Sequence, residues 1–189
     1  MKSQDIVVLL KLISLQDQEM EKGAGRLRAE AVGGDPYSVR NLEALLGISK
    51  SEIGLSINRS VASGIARRDN DLNEPRPRRK NLFDFIVHGV KFVFPASPGS
   101  MQRGLPTAFA APMLRDLLVS AGSYNYVWPY AEGREMGQSV EPLFKSVPEA
   151  VMKDEHLYEY LALVDAIRLG NQREVGLATK HLSLKLLHR

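Results

Sequence analysis

A chain of 189 residues with 44% hydrophobic content can bury a substantial core, and its size fits one domain or one small module with an extension. The absence of cysteine excludes a disulfide framework, thiolate metal sites and a cysteine nucleophile, and fits a reducing cytoplasm. A formal net charge of +3 is mildly basic, which permits a nucleic-acid partner without demanding one.

The first element, "QDIVVLLKLISLQDQ" from Gln4, is apolar on most sides and predicts a helix buried between neighbours or across a dimer seam. Lys11 interrupts its apolar run, no small-residue cleavage pattern follows, and the run is too short to span a bilayer. The expectation is therefore a cytoplasmic chain without a secretion signal or membrane contact. "GAGRLRAEAVGGDPYS" reads as a loop punctuated by Gly33, Gly34, Asp35 and Pro36, with Ser38 placed to cap the next helix. Val39, Leu42, Leu45 and Leu46 then set an apolar stripe on a short helix, and Gly47 supplies the left-handed conformation that ends it. Ser49 caps a second helix, with Glu52 completing a capping box, and Ile53, Ile57, Val61 and Ile65 repeat every fourth residue along one face. Two short helices joined by a tight glycine turn make a helix-turn-helix.

The side chains left off that stripe carry the chemistry. Lys50, Ser51, Leu55, Ser56, Asn58 and Arg59 lie outward or flank the core stripe. Short donors and acceptors at a helix start reach phosphates and base edges, and an arginine pairs with guanine or with phosphate. Leu42, Leu45, Gly47, Ser49, Ser51, Ile53, Ile57, Arg59, Gly64 and Ile65 match a family pattern, and residues 41–66 resemble the helix-turn-helix of the MarR-type winged-helix transcription regulators. The resemblance implies double-stranded DNA as the partner, a recognition helix as the reader, and a two-stranded wing after Ile65. The segment in the wing's place, "RRDNDLNEPRPRRK", reads better as a basic loop than as strands because of its prolines and polar residues. Its Arg67, Arg68, Arg76, Arg78 and Arg79 join Lys50, Ser51, Ser56, Asn58 and Arg59 as candidate DNA-binding residues. Arg26, Arg28 and Arg40 read as ordinary surface. Packing alone is the competing reading for the two helices.

Beyond the basic loop, "NLFDFIVHGVKFVFP" predicts one apolar helix, buried against the first helix or against its own copy in a second subunit. His88 within it reads as a core or interface histidine. "PASPGSMQRGLPTAFAAP" reads as an apolar loop tucked against the body, and "NYVWPYAEGREMGQSVEPLF" as a hairpin or an extended aromatic arm. Near Arg103 such an arm either lines a ligand pocket or simply packs. "SVPEAVMKDEHLYEYLALVDAIRLG" predicts a helix capped by Ser146, with Leu157, Leu161, Val164 and Ile167 or Arg168 in its stripe. "NQREVGLATKHLSLKLLHR" predicts another, with Val175, Ala178, Leu182 and Leu186 on one side. His156, His181 and His188 form no metal-binding spacing, and no phosphate loop, nucleophile elbow or catalytic carboxylate pair occurs. No catalytic group, metal or cofactor is expected.

The expected fold is mainly α. Residues 1–80 form a winged helix-turn-helix module, and residues 81–189 form a helical dimerisation or sensing region with a loop-rich or hairpin segment. The expected function is that of a homodimeric DNA-binding transcription regulator, with a small-molecule or protein effector as a further partner. The alternative is a protein-interaction module, antitoxin-like or an accessory partner, that has lost DNA binding. An enzyme has no supporting constellation.

Overall fold

Ile6, Leu9, Leu10, Leu12 and Ile13 cannot share one face of a helix, yet all five are buried. In the computed structural model, which describes residues 1–115 and 124–188, they lie on α1 (Ser3–Lys22), and the rest of the chain wraps around that helix. Each fully buried side chain of this size contributes about 1.5–3 kcal/mol, so α1 is the main hydrophobic anchor of the fold. It is enclosed within a single chain, and no dimer seam is needed to cover it.

The helix also buries polar side chains, and each finds a partner from a distant element. Arg59 donates two hydrogen bonds to Asp5, at 2.6 and 2.9 Å. Lys11 Nζ and Ser14 Oγ donate to Asp154 at 2.6 Å each. Asp17 accepts from Arg79 at 2.8 Å and from the Tyr160 hydroxyl at 2.5 Å. A buried charge is tolerated only when paired in this way, and such pairs penalise any other register of α1 against its neighbours.

The remaining elements follow in order. They are α2 (Ala24–Glu30), α3 (Val39–Leu46), α4 (Lys50–Ala62), β1 (Ala66–Arg68), β2 (Pro75–Pro77), α5 (Arg79–His88), α6 (Val90–Val93), β3 (Met101–Thr107), β4 (Tyr126–Pro129), β5 (Glu135–Ser139), α7 (Val147–Val151), α8 (Glu155–Leu169) and α9 (Gln172–Leu187). The described residues are thus mainly helical, with two small sheets. β1 and β2 form an antiparallel pair with Ala66 opposite Pro77 and Arg68 opposite Pro75. β3 pairs antiparallel with both β4 and β5, and those two pair parallel with each other, so three strands close on themselves. The closure needs glycine, since a Cβ on Gly104 would sit 2.1 Å from the Trp128 carbonyl oxygen.

The three strands are fastened to α8 through Asp165. Its carboxylate accepts from Thr107 Oγ1 at 2.9 Å, from Trp128 Nε1 at 2.6 Å and from Arg168 at 2.6 Å. Arg168 also donates to the Phe94 carbonyl at 2.9 Å, and the Tyr158 hydroxyl donates to that of Pro106 at 2.6 Å. α8 is apolar all round because it is buried all round, with Leu161, Leu163 and Val164 fully enclosed. α9 begins with a full capping box between Asn171 and Glu174 and buries Ala178, Leu182 and Leu186 as its stripe requires.

Several sequence expectations are corrected. Residues 24–30 are helical rather than loop, since Ala, Leu and Arg favour helix once Gly23 breaks the chain direction. The stretch 82–94 is not one buried helix. It is broken at Gly89, and Phe92 is 76% exposed while Val93 also faces solvent. His88 is exposed on the chain rather than in its core. The proline-rich stretch 95–112 contains β3, and the aromatic stretch after it supplies two separate strands that flank β3 instead of a hairpin. The helix expected from Ser146 onward is two, α7 and α8. Ser146 donates to the Leu46 carbonyl, while Asp154 caps α8 by accepting from the Leu157 amide. No helix among the described residues is long and apolar enough to cross a membrane.

Candidate nucleic-acid interface

The pair α3 and α4 is built by the capping chemistry its sequence announces. Ser38 accepts from the Asn41 amide at 3.2 Å to open α3, and Gly47 closes it at φ 63°, ψ 23° with its amide on the Glu43 carbonyl. A side chain at Gly47 would also press on Ser146, its Cβ 3.2 Å from that of the serine. Ser49 accepts from the Glu52 amide at 3.4 Å, but the box is only half made. The Glu52 carboxylate turns instead to Gln4 at 2.5 Å and Lys2 at 3.3 Å. Those two hydrogen bonds hold the Glu52 carboxyl below its usual value. Ile53, Ile57 and Ile65 are buried, Leu42 and Leu46 close the contact from α3, and Val39 points outward.

The structure divides the ten candidate residues. Lys50, Ser51 and Asn58 are exposed along α4, as expected, with Lys50 within 3.4 Å of Glu43. Ser56 is buried, its hydroxyl beside the Asp5 carboxylate, and is withdrawn from the surface. Arg59 is likewise committed, its side chain only 27% exposed and clamped in two hydrogen bonds to Asp5. Burial alone would push the Asp5 carboxyl up, but the hydrogen bonds from Arg59 and the Lys2 amide hold it below the usual carboxylate value. Arg59 therefore joins α4 to α1 and does not reach outward.

The segment expected as a loop is a short antiparallel hairpin. Pro75 and Pro77 are tolerated because a two-stranded pair leaves alternate backbone amides outside the ladder, and both rings are buried instead. Asp69 closes the tip by accepting from the Asp71 and Leu72 amides, which holds its carboxyl below the usual value. Arg67 and Arg68 project outward from β1. Arg68 donates to Asn58 Oδ1 at 3.4 Å and to the Asn73 carbonyl at 3.1 Å, so it ties the hairpin to α4. Arg76 pairs with Glu74 at 2.6 Å and stacks on Tyr37 at 4.6 Å. Burial pushes the Glu74 carboxyl up despite Arg76. Arg78 is exposed at the hairpin's end, and Arg79 is bound to buried Asp17. Arg76 and Arg79 are thus held in structural ion pairs and only partly exposed. Each pairs with an acid, and Arg79's partner lies on α1, distant in sequence.

What is brought together is a shallow groove between α4 and the hairpin, lined by Gly54, Asn58, Arg68, Leu72 and the Ser38–Val39 start of α3, with Asp35 and Glu74 also on its wall. Gly54, a poor helix former, has nothing within 4 Å of where a Cβ would stand, so the α4 backbone is bare toward the groove. Arg40, in the first turn of α3, is exposed. The tip has the opposite character, with Asp69, Asp71 and Glu74 around a 60% exposed Leu72. No family model, curated protein or solved structure matches the chain.

Proposed function

We propose that the chain is a DNA-binding transcription regulator of the winged helix-turn-helix kind, with α4 as reader and the β1–β2 hairpin as a short wing. The observation that carries this reading is the juxtaposition of an exposed Lys50, Ser51 and Asn58 on a capped helix with Arg67 and Arg68 on the adjoining hairpin. Asn58 suits an adenine edge, and Lys50 suits a guanine or a phosphate at the helix start. Arg67, Arg78 and Arg40 supply phosphate contacts that position the reader without specifying sequence. The bare backbone at Gly54 lets a phosphate or sugar approach α4 closely. Arg59, Arg76, Arg79 and Ser56 take no part in reading and hold the module's shape. Homodimerisation belongs to the proposal, because one short reader gives a small interface and paired half-sites give specificity.

In vitro selection from a random duplex pool, followed by titration of the selected sequence, tests this directly. Asn58→Ala and Lys50→Ala should each weaken the selected duplex by about 1–3 kcal/mol, confined to one operator position for a base contact, with unchanged melting. Failure to enrich any sequence would remove the reading.

A second reading is favoured by the hairpin tip. Asp69, Asp71 and Glu74 repel phosphates, while the 60% exposed Leu72 offers apolar area at the same tip, an arrangement that suits a basic, partly apolar protein surface. In that case the tip docks a protein partner and α4 packs without reading.

A further inference from the structure

A second pocket, of about 170 Å³ and half open to solvent, is lined by residues of α1, α2 and α3 and by Lys153 just before α8. Its apolar surface comes from Leu15, Leu27, Pro36 and Leu45. A volume of about 150 Å³ is enough for a benzene-sized molecule. The polar lining here is unevenly charged. Lys11 is paired with Asp154, Lys22 and Lys153 have no ion-pair partner among the described residues, and the one carboxylate in the lining, Glu30, is already bound to Arg26 at 3.0 Å.

Lys11 is the decisive group. It is 3% exposed, and of the three N–H donors of its ammonium only one has a partner among the described residues, the Asp154 carboxylate. Asp154 is itself fully engaged. Burial raises its carboxyl, but Lys11 and the hydrogen bonds from Ser14 and the Leu157 amide outweigh that and hold it below its usual value. Two buried donors therefore border a cavity that a neutral hydrocarbon would leave unsatisfied. We propose that this cavity binds a small monocarboxylate with a short apolar chain. The chain rests on Leu15, Leu27 and Leu45, and the carboxylate meets Lys11 and Lys153. The site stands whether or not α4 reads DNA.

Calorimetric titration of the full chain with hexanoate, set against hexanol, tests the proposal. Lys11→Met would strand Asp154 and risks unfolding, so Lys153→Gln at the rim and Ala31→Leu, which fills the cavity from its edge, carry the comparison. Hexanoate should bind at one site with a Kd in about the millimolar range or below, and hexanol about tenfold more weakly. Lys153→Gln should weaken hexanoate about three- to tenfold, as fits a partly screened charge pair, and Ala31→Leu should abolish binding without lowering the melting temperature. No heat up to about 10 mM, equal binding of hexanol, or variants that bind like the parent would each overturn it.

Discussion

Asp165→Ala should destabilise the chain by about 4–5 kcal/mol, among the largest effects expected of a single substitution. The change leaves the Arg168 guanidinium buried without its anion, and it strands the Thr107 hydroxyl and the Trp128 indole N–H that now donate to the same carboxylate. Removing one partner of a buried pair costs about 3–5 kcal/mol, and the two further donors left without an acceptor put this case at the top of that range. For a chain of this length the melting temperature should fall by roughly 10–20 °C. Trp128 is the only tryptophan in the sequence and is buried, so its fluorescence reports the damage at its source. The expected sign is a red-shifted emission before global unfolding, as β4 parts from α8. An Asp165→Ala protein that melts within about 3 °C of the parent would show that the buried network contributes little.

Arg59→Ala should also have a large effect, and it should appear in stability first. The guanidinium is the counter-charge of a fully buried Asp5, so its loss strands a carboxylate inside the protein. The cost should be about 3 kcal/mol, at the low end for a buried pair because a quarter of the arginine side chain is in water. Combining it with Asp5→Asn should restore part of the loss, since no uncompensated charge is then left inside. The pH dependence has a definite sign. Asp5 and Asp154 both have carboxyls held below their usual value in the folded state. Their stabilisation is complete above the ordinary carboxylate pKa and drains away as pH falls through the lowered one. In Arg59→Ala the burial of Asp5 is opposed chiefly by the Lys2 amide, so its carboxyl takes up a proton more readily and the gap to the parent should narrow below about pH 4. Chemical denaturation at a neutral and an acidic pH checks both statements, and a gap that widens toward acid would contradict them.

These two residues also mark where the sequence stops being legible. Local chemistry could be read directly. Ser38, Gly47 and Ser49 bracket α3 and α4 as their types demand, and the isoleucines spaced by four are the buried face of α4. Arg59 could not be read, because its position on the helix leaves it near the surface and only Asp5, 54 residues earlier, draws it inward. Arg79 was hidden for the same reason by Asp17. The hairpin was obscured by prolines that rule out a central strand but not an edge one. The all-round apolar character of α1 announced burial without naming what covers it. A dimer and an intramolecular sheath make the same sequence pattern, and here the chain's own helices and hairpin enclose it. The closed three-stranded unit was least accessible of all. Its strands are short, rich in glycine and proline, and held by Asp165 across 37 and 58 residues of sequence.

Salt dependence of duplex binding, measured for the parent and for an Arg67→Ala, Arg68→Ala, Arg78→Ala triple variant, bears most directly on whether α4 and the hairpin form a DNA-binding face. All three side chains are exposed. Arg67 and Arg78 have no ion-pair partner among the described residues, and Arg68 only bridges α4 to the tip, so their removal should leave melting close to that of the parent. The expected result is a parent affinity that falls steeply with salt, and a variant that binds more weakly to every duplex with a slope smaller by about 0.9 for each phosphate no longer neutralised. A parent that does not retain duplex DNA at low salt, or a variant with the parent's slope, would contradict the DNA-binding reading and leave the acidic tip and Leu72 as a protein-docking surface.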